Sequence, residues 1–146
     1  MFKISEATAL AMHAVVFLAG RSEHSVTVRE IASALGGSRD HLSKVLQRLT
    51  RAGFVTSVRG RGGGFRLGKP GGRIRLLDIY EAMEGPYRPS DCLFDKPVCG
   101  GNPCIMGPSL HLMNRQLFQW LSETRLPQLV GTFPGETENA QKDCQD

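Results

Sequence analysis

The fold is decided by residues 27–67, TVREIASALGGSRDHLSKVLQRLTRAGFVTSVRGRGGGFRL. Thr27 and Glu30 have the spacing of a capping box, and the glycine pair before Ser38 is a helix stop, so we expect a short helix between them. Ser38 is suited to cap a second helix, whose apolar positions recur at helical spacing: Leu42, Val45, Leu46 and Leu49. Two short helices joined by a glycine-containing turn are typical of a helix-turn-helix motif, although an ordinary helical hairpin has the same pattern.

The same stretch ends in a predicted β-hairpin. FVTSV at 54–58 is rich in apolar and β-branched residues, RGRGGG at 59–64 favours a turn, and FRL at 65–67 supplies the return strand. A hairpin directly after the second helix is the layout of a winged helix. The glycine-rich run lacks the Lys-Ser/Thr of a phosphate-binding loop, so it does not predict a nucleotide site.

The sequence on either side of this motif is mainly helical. Residues 4–19 have apolar positions at helical spacing and end before a glycine, and LLDIYEAMEG at 76–85 predicts another short helix. A long helix is predicted from 105 to about 125, with an apolar stripe that would pack on its twin in a homodimer or on its own domain. The stripe consists of Leu110, Met113, Leu117, Trp120, Leu121 and Thr124.

These elements predict a mainly α fold with a small β-hairpin wing and a long C-terminal dimerisation helix. We divide the chain into a winged helix-turn-helix domain at 1–85, a cysteine-rich loop at 86–104, a dimerisation helix at 105–130 and a polar tail at 131–146, expected to be disordered. No apolar run is long enough to span a bilayer, and the first twenty residues read as an amphipathic helix. We therefore expect a cytoplasmic protein.

Basic residues are concentrated around the helix-turn-helix and hairpin. Residues 38–75 contain ten Lys and Arg against one acid, whereas residues 76–146 contain five against ten. This asymmetry predicts one half that binds a polyanion such as double-stranded DNA, although a solvated basic face has the same composition. The second helix of the motif would enter the major groove with its outward face, which carries Arg39, Ser43, Lys44, Gln47, Arg48 and Arg51.

Positions along this face differ in their expected roles. Arg48 and Arg51 lie late in the helix, where contacts to phosphates are expected. Arg59 and Arg61 lie at the hairpin tip, from which an arginine could enter a minor groove.

Three cysteines lie within thirteen residues of one loop, DCLFDKPVCGGNPC at 91–104. In the cytoplasm, such a cluster is more often a metal site or a redox site than a set of structural disulfides. Three interpretations stay open. Soft thiolates on a Gly/Pro-rich loop suit an iron–sulfur cluster, and a metal-free thiol switch needs only the sulfurs. Zinc would also accept them, but its usual short C-x2–4-C pair is missing.

A family resemblance is carried by SEATALAMHAVVFLA, TVREIASALGGSRDHLSKVLQRLTRAGFVTSVRGRGGGFRLGKP, IRLLDIYEAMEG and the three cysteines that follow. Over about residues 1–126 the sequence resembles the Rrf-two family of bacterial winged-helix regulators. The resemblance implies a homodimeric transcription regulator, expected to be a repressor, that binds a palindromic operator. The family's base-reading positions match Asp40, Ser43 and Lys44, and its minor-groove arginine matches Arg59.

The resemblance also implies a cofactor. In cluster-bearing members, three cysteines of this loop ligate a [2Fe-2S] or [4Fe-4S] cluster, and the matching residues are Cys92, Cys99 and Cys104. Their spacing of six and then four intervening residues departs from the family's five and five. Gly107 stands where one branch has a histidine ligand.

The fourth ligand is therefore not fixed by the cysteine loop. The resemblance nominates His13, which would act from the other subunit. His111, Glu6 and Asp91 are alternatives. Such a site would report redox state, nitric oxide or iron–sulfur status.

The sequence carries no Ser-His-Asp arrangement, paired catalytic carboxylates or nucleotide motif, so we predict that the chain is not an enzyme. Two other functions remain open beside the cluster-based regulator. One is a metal-free winged-helix regulator with a thiol switch, and the other is an iron–sulfur electron-transfer protein with an incidental basic face.

Overall fold

The computed structural model describes residues 3–100 and 103–133. It confirms a mainly helical fold with a single two-stranded antiparallel hairpin in the described part. The elements are α1 (Glu6–Ala19), α2 (Val28–Leu35), α3 (Arg39–Arg51), β1 (Val55–Val58), β2 (Gly64–Leu67), α4 (Leu76–Glu84) and α5 (Ser109–Glu123), with short 3-10 turns at Gly71–Arg73 and Leu126–Leu129. No helix in the described ranges is long and apolar enough to cross a membrane.

The helix-turn-helix begins and ends at the capping residues that the sequence pattern predicts. Thr27 and Glu30 form a reciprocal capping box at the start of α2, and Gly36 ends that helix in a left-handed conformation with φ of 69°. Ser38 then caps α3 by accepting a bond from the backbone N–H of His41 at 3.5 Å. The four apolar residues predicted as the buried stripe of α3 are all buried.

Helix α1 lies at the centre of the core. It contacts α2, α3, α4, β2 and the turn at Leu126–Leu129. Two fully buried alanines, Ala11 and Ala14, let neighbouring helices approach closely, while Val15 and Leu18 fill the space beside them. The core therefore joins the helix-turn-helix to the C-terminal elements through one helix.

The wing is attached to the chain segment that precedes α2. In the hairpin, Val55 pairs with Leu67 and Val58 with Gly64. Val26 forms an antiparallel bridge to Phe65, with N–H···O distances of 2.9 and 2.7 Å. Gly64 has a φ of 152°, and a Cβ there would lie 2.4 Å from the Val26 carbonyl oxygen, so only glycine allows this close approach.

The C-terminal helix is shorter than predicted. It begins at Ser109 rather than at 105, because residues 104–107 form a turn in which the Gly107 N–H donates to the Cys104 carbonyl at 2.9 Å. It ends at Glu123, since Thr124 is extended and its carbonyl accepts from the Leu76 N–H at 3.0 Å. The predicted disordered tail, with Cys144, lies beyond Phe133 and outside the described residues.

Candidate DNA interface and cysteine cavity

The outward face of α3 presents most of the predicted DNA-contacting side chains. Ser43 is half-buried near the start of the helix, and the charged residues around it are exposed: Arg39, Asp40, Lys44, Arg48 and Arg51. A helix with one buried stripe and cations on its other face can enter a major groove while its core contacts stay intact.

The wing tip places two arginines in solvent. Arg59 and Arg61 are exposed within the turn between β1 and β2, where Gly60 and Gly62 adopt positive φ. The tip is attached to the segment before α2, because the Ser25 hydroxyl donates a hydrogen bond to the Gly62 carbonyl. The tip arginines and α3 are therefore parts of one arrangement whose relative position is set by the turn before α2.

A second contact holds the return strand to the same turn. The Arg66 guanidinium donates to the Ser22 carbonyl oxygen at 3.0 Å. The sequence pattern did not predict these roles of Ser22, Ser25 and Arg66, because the two hydrogen bonds join residues that lie 37 and 44 positions apart along the chain.

The three predicted cysteine ligands line one cavity of about 320 Å³. None of them forms a disulfide; Cys99 is exposed, and Cys92 and Cys104 are half-buried. The rest of the lining comes from the same loop and consists of Ser90, Asp91, Phe94, Asp95 and Pro97. Across residues 3–100 and 103–133, no three His, Cys, Asp or Glu side chains stand close enough together to hold one metal ion.

The first part of the cysteine loop is bonded to α5. The Asn114 amide donates to the Ser90 carbonyl at 2.8 Å, and the Ser90 hydroxyl accepts from the Cys92 N–H at 3.2 Å. The backbone N–H of Phe94 points at the Cys92 sulfur, with an N···S distance of 3.5 Å.

His13 lies on α1, away from the cysteine cavity of its own chain. Its ring is exposed and borders a separate hollow shared with Glu6, Leu10 and Phe133. Its Nδ1 is 2.6 Å from the Ala9 carbonyl oxygen, so Nδ1 carries the hydrogen and donates. In the neutral ring, Nε2 then has a free lone pair.

Two other candidate ligands lie near the cavity. Asp91 is part of its lining, and His111 on α5 lies with Nδ1 3.6 Å from the Asp91 carboxylate. Both side chains are largely exposed. Glu6, in contrast, borders the hollow around His13.

Glu84 links the end of α4, where the cysteine loop begins, to the start of α1. Its carboxylate accepts from the Ser5 N–H at 2.9 Å and from the hydroxyl of the buried Thr8. Hydrogen bonding by the Ser5 side chain, the Thr8 hydroxyl and the Ser5 N–H lowers the pKa of Glu84 below its ordinary value, because these bonds favour the charged form.

The predicted apolar stripe of α5 is divided between two environments. Leu110, Leu121 and Thr124 are buried in their own domain, whereas Met113 is 62% exposed and Trp120 is 58% exposed. Met113 and Trp120 form the exposed edge of α5, which borders an open groove of about 740 Å³. Leu93 of the cysteine loop and Met106, just before the start of α5, also line this groove. Large exposed apolar side chains on one helix are typical of an interaction surface.

Solved structures with the same architecture include known regulators. The chain is similar to CymR (YrzC), the global cysteine regulator of B. subtilis, with 27% identity and a TM-score of 0.74 over 90% of this chain and 98% of that one. It shares its fold with T. potens IscR, with 23% identity and a TM-score of 0.65 over 99% and 92% of the two chains. It also shares it with Staphylococcus aureus CymR, with 24% identity and a TM-score of 0.66 over 84% and 93%.

A protein-family model also matches most of the chain. The family model of Rrf2, described as an iron-dependent transcriptional regulator, matches residues 4–132, which include every helix and strand described above. With its winged helix, its basic α3 and the family match over most of its length, the chain belongs to the Rrf2 family of DNA-binding transcriptional regulators.

Proposed function

We propose that this regulator is a homodimeric repressor whose operator affinity is set by the state of the three-cysteine cavity, and that the cavity holds an iron–sulfur cluster. The observation that carries the proposal is that three free thiols line one cavity in a chain that also carries a basic recognition helix and wing. The loop that lines the cavity is hydrogen-bonded to α5 through Asn114 and Ser90, so a change in the cavity can influence the exposed apolar edge of that helix.

The donor set fits an iron–sulfur group. Three soft sulfurs share the cavity, and the Phe94 N–H already points at one of them. Cysteine sulfur is the preferred ligand of such clusters, and hydrogen bonds to the sulfurs tune their potentials. When bound, the cluster would supply a redox-active group that is sensitive to oxygen, nitric oxide and iron supply. The ligands would be Cys92, Cys99 and Cys104.

His13 is our proposed fourth ligand, acting from the partner subunit. Its Nδ1–H donates to the Ala9 carbonyl, which fixes the tautomer and leaves Nε2 able to coordinate. Metal-bound histidines usually have this arrangement. Within one chain His13 borders a different hollow from the cysteines, so the assignment requires the homodimer.

The exposed edge of α5 is the proposed dimer contact. Met113 and Trp120 would be covered by the same edge of a second copy, in keeping with paired half-sites for a winged-helix reader. A change in the packing of the cysteine loop against α5 would then alter the separation of the two α3 helices and shift the population that fits a palindromic operator.

On the DNA, we assign base contacts to the start of α3 and phosphate contacts to its end. Asp40, Ser43 and Lys44 face outward in the first turns, with Arg39 beside them. Arg48 and Arg51 would contact phosphates, and the arginines of the wing tip would reach a minor groove.

A metal-free thiol switch is the second candidate function. One observation favours it: in the described part of the chain no three metal-ligating side chains, the free cysteines included, lie close enough together to hold one metal ion. In that case, oxidation of the thiols would change the packing of the loop on α5 without any cofactor.

The deciding experiment begins with protein purified without oxygen. We expect bound iron and sulfide, visible charge-transfer absorption, and an operator affinity that changes when oxygen or nitric oxide is added. Cys92→Ala should abolish the absorption and the response, whereas Cys144→Ala serves as a matched control and should preserve both. Iron-free protein whose operator affinity still follows thiol oxidation would support the thiol switch instead.

A competition gel shift separates the regulator from an electron-transfer protein. We expect the protein to retain its operator fragment in the presence of excess random DNA. Equal displacement by random DNA would contradict operator recognition and leave the basic face without a specific role.

A further inference from the structure

A buried amide on α5 holds the first part of the cysteine loop. Asn114 is only 7% exposed, although it lies in the interior of a helix, where asparagine is a poor helix former. Its Nδ2 donates to the Ser90 carbonyl, 24 residues earlier, at 2.8 Å. A buried amide is unfavourable unless it is hydrogen-bonded, so this side chain specifies where the loop lies rather than merely filling space.

Ser90 transmits this constraint to Cys92. Its hydroxyl accepts from the Cys92 N–H at 3.2 Å and donates to the Cys92 carbonyl at 2.8 Å. The backbone is therefore held on both sides of the Cys92 Cα atom. With the Phe94 N–H aimed at the sulfur, the position of the Cys92 thiol is set by local bonds that originate at Asn114.

Tyr87 provides a second attachment to the same residue. Its hydroxyl donates to the Asn114 carbonyl oxygen at 3.1 Å, and its ring packs against Tyr80 and Phe118 at centroid distances of 5.6 and 5.2 Å. The segment from Tyr87 to Cys92 is thus joined to α5 through both the backbone and the side chain of Asn114.

We propose that Asn114 is a positioning residue that holds the Cys92 thiol in a fixed place in the cavity. The exposed Cys99 thiol is the one that moves to bring the three sulfurs together. This inference rests on the proposed function of the cavity as a thiol site and deepens it. It makes the three thiols unequal, and it makes the Asn114–Ser90 bond the connection between Cys92 and α5.

Differential alkylation of the reduced, metal-free protein tests this assignment. Iodoacetamide labelling followed by peptide mass spectrometry gives the rate at each cysteine, with Cys99 as an internal reference. In the wild type we expect Cys92 to react more slowly than Cys99. In Asn114→Ala the ratio of the Cys92 rate to the Cys99 rate should rise by about five-fold, the change that the loss of one hydrogen bond produces.

Two further variants separate hydrogen bonding from packing. Asn114→Asp keeps the side-chain size but removes the donor, so it should raise the same ratio, and Tyr87→Phe should raise it less. Arg115→Ala, at an exposed position of the same helix and outside the groove, is the control and should leave the ratio unchanged. If Asn114→Ala fails to fold, as judged by circular dichroism, the other two variants decide.

An unchanged ratio in folded Asn114→Asp would overturn the inference. So would an equal rise at all three cysteines, because that result would show general loosening rather than positioning. The assay uses neither iron nor DNA. A protein that proves to bind no cluster therefore refutes the proposed cofactor without affecting this measurement.

Discussion

The Arg66 guanidinium donates a hydrogen bond to the Ser22 carbonyl oxygen at 3.0 Å and thereby joins the wing to the turn that follows α1. The Ser25–Gly62 bond and the backbone bridge between Val26 and Phe65 reinforce the same junction. The position of the wing is consequently determined from outside the hairpin.

Ser25→Ala tests the importance of this junction. Removing the hydroxyl frees the Gly62 carbonyl and lets the tip move, so operator affinity should fall by about five-fold, as expected for one lost hydrogen bond. The dependence of affinity on salt should stay the same, because no phosphate contact is lost. Fluorescence anisotropy at several salt concentrations measures both, with Ser33→Ala as the control. A reduced salt slope would indicate that Ser25 itself contacts the DNA backbone.

Arg59→Ala tests the role of the wing tip. If Arg59 enters a minor groove, operator binding should weaken by about ten-fold and random-DNA binding by much less. Anisotropy titrations with both duplexes give the comparison. Lys96→Ala removes an exposed cation from the cysteine loop and should change neither affinity. Equal losses on the two duplexes in Arg59→Ala would make this residue a phosphate contact only.

Glu84→Gln tests the connection between α1 and α4. Hydrogen bonds from Ser5 and Thr8 lower the pKa of Glu84, so its carboxylate stabilises the fold above its ordinary pKa of 4.5, and this contribution is lost as the pH falls through the lowered value. Urea unfolding from about pH 6 to about pH 3 should therefore show a smaller loss of stability in the variant than in the wild type.

Glu23→Gln is the control for that series, since Glu23 is an exposed carboxyl in the turn after α1. The interpretation fails if both variants give the same dependence on pH as the wild type.

Trp120→Glu tests the exposed edge of α5. A charge placed within an apolar subunit contact should raise the dimer dissociation constant by about 100-fold or more, because the charge would be buried without a partner. Analytical ultracentrifugation measures the change. Arg115→Glu also adds a carboxylate to α5, at an exposed position outside the groove, and should preserve the dimer. A monomeric wild type would contradict the dimer proposal directly.

Local patterns predicted most of the winged helix. The capping box of Thr27 and Glu30, the Gly36 stop and the buried stripe of α3 depend on neighbours within four residues, and the structure has all of them. The predicted start of the last helix at 105 was wrong, because the apolar pattern gave no indication of the turn from Cys104 to Gly107.

Contacts between distant residues were beyond prediction from the pattern. The amide of Asn114 interrupts an apolar stripe and has no local signal of its partner, which lies in a loop without periodicity. The three predicted cysteine ligands line one cavity, since they are close in sequence, and their role as ligands stays a prediction. The fourth-ligand assignment stays a prediction, because His13 borders a different hollow within the chain.

Because Gly64 has no side chain, the wing packs closely enough to limit how the proposed repressor can be controlled. Because the backbone of the wing touches the backbone before α2, both reading elements, α3 and the wing tip, keep a fixed geometry within one subunit. Half-sites of a palindrome recur about 34 Å apart, one turn of the double helix. With each subunit acting as one rigid unit, a signal in the proposed dimer would need to change only the rotation of one DNA-contacting unit relative to the other about the axis of the double helix.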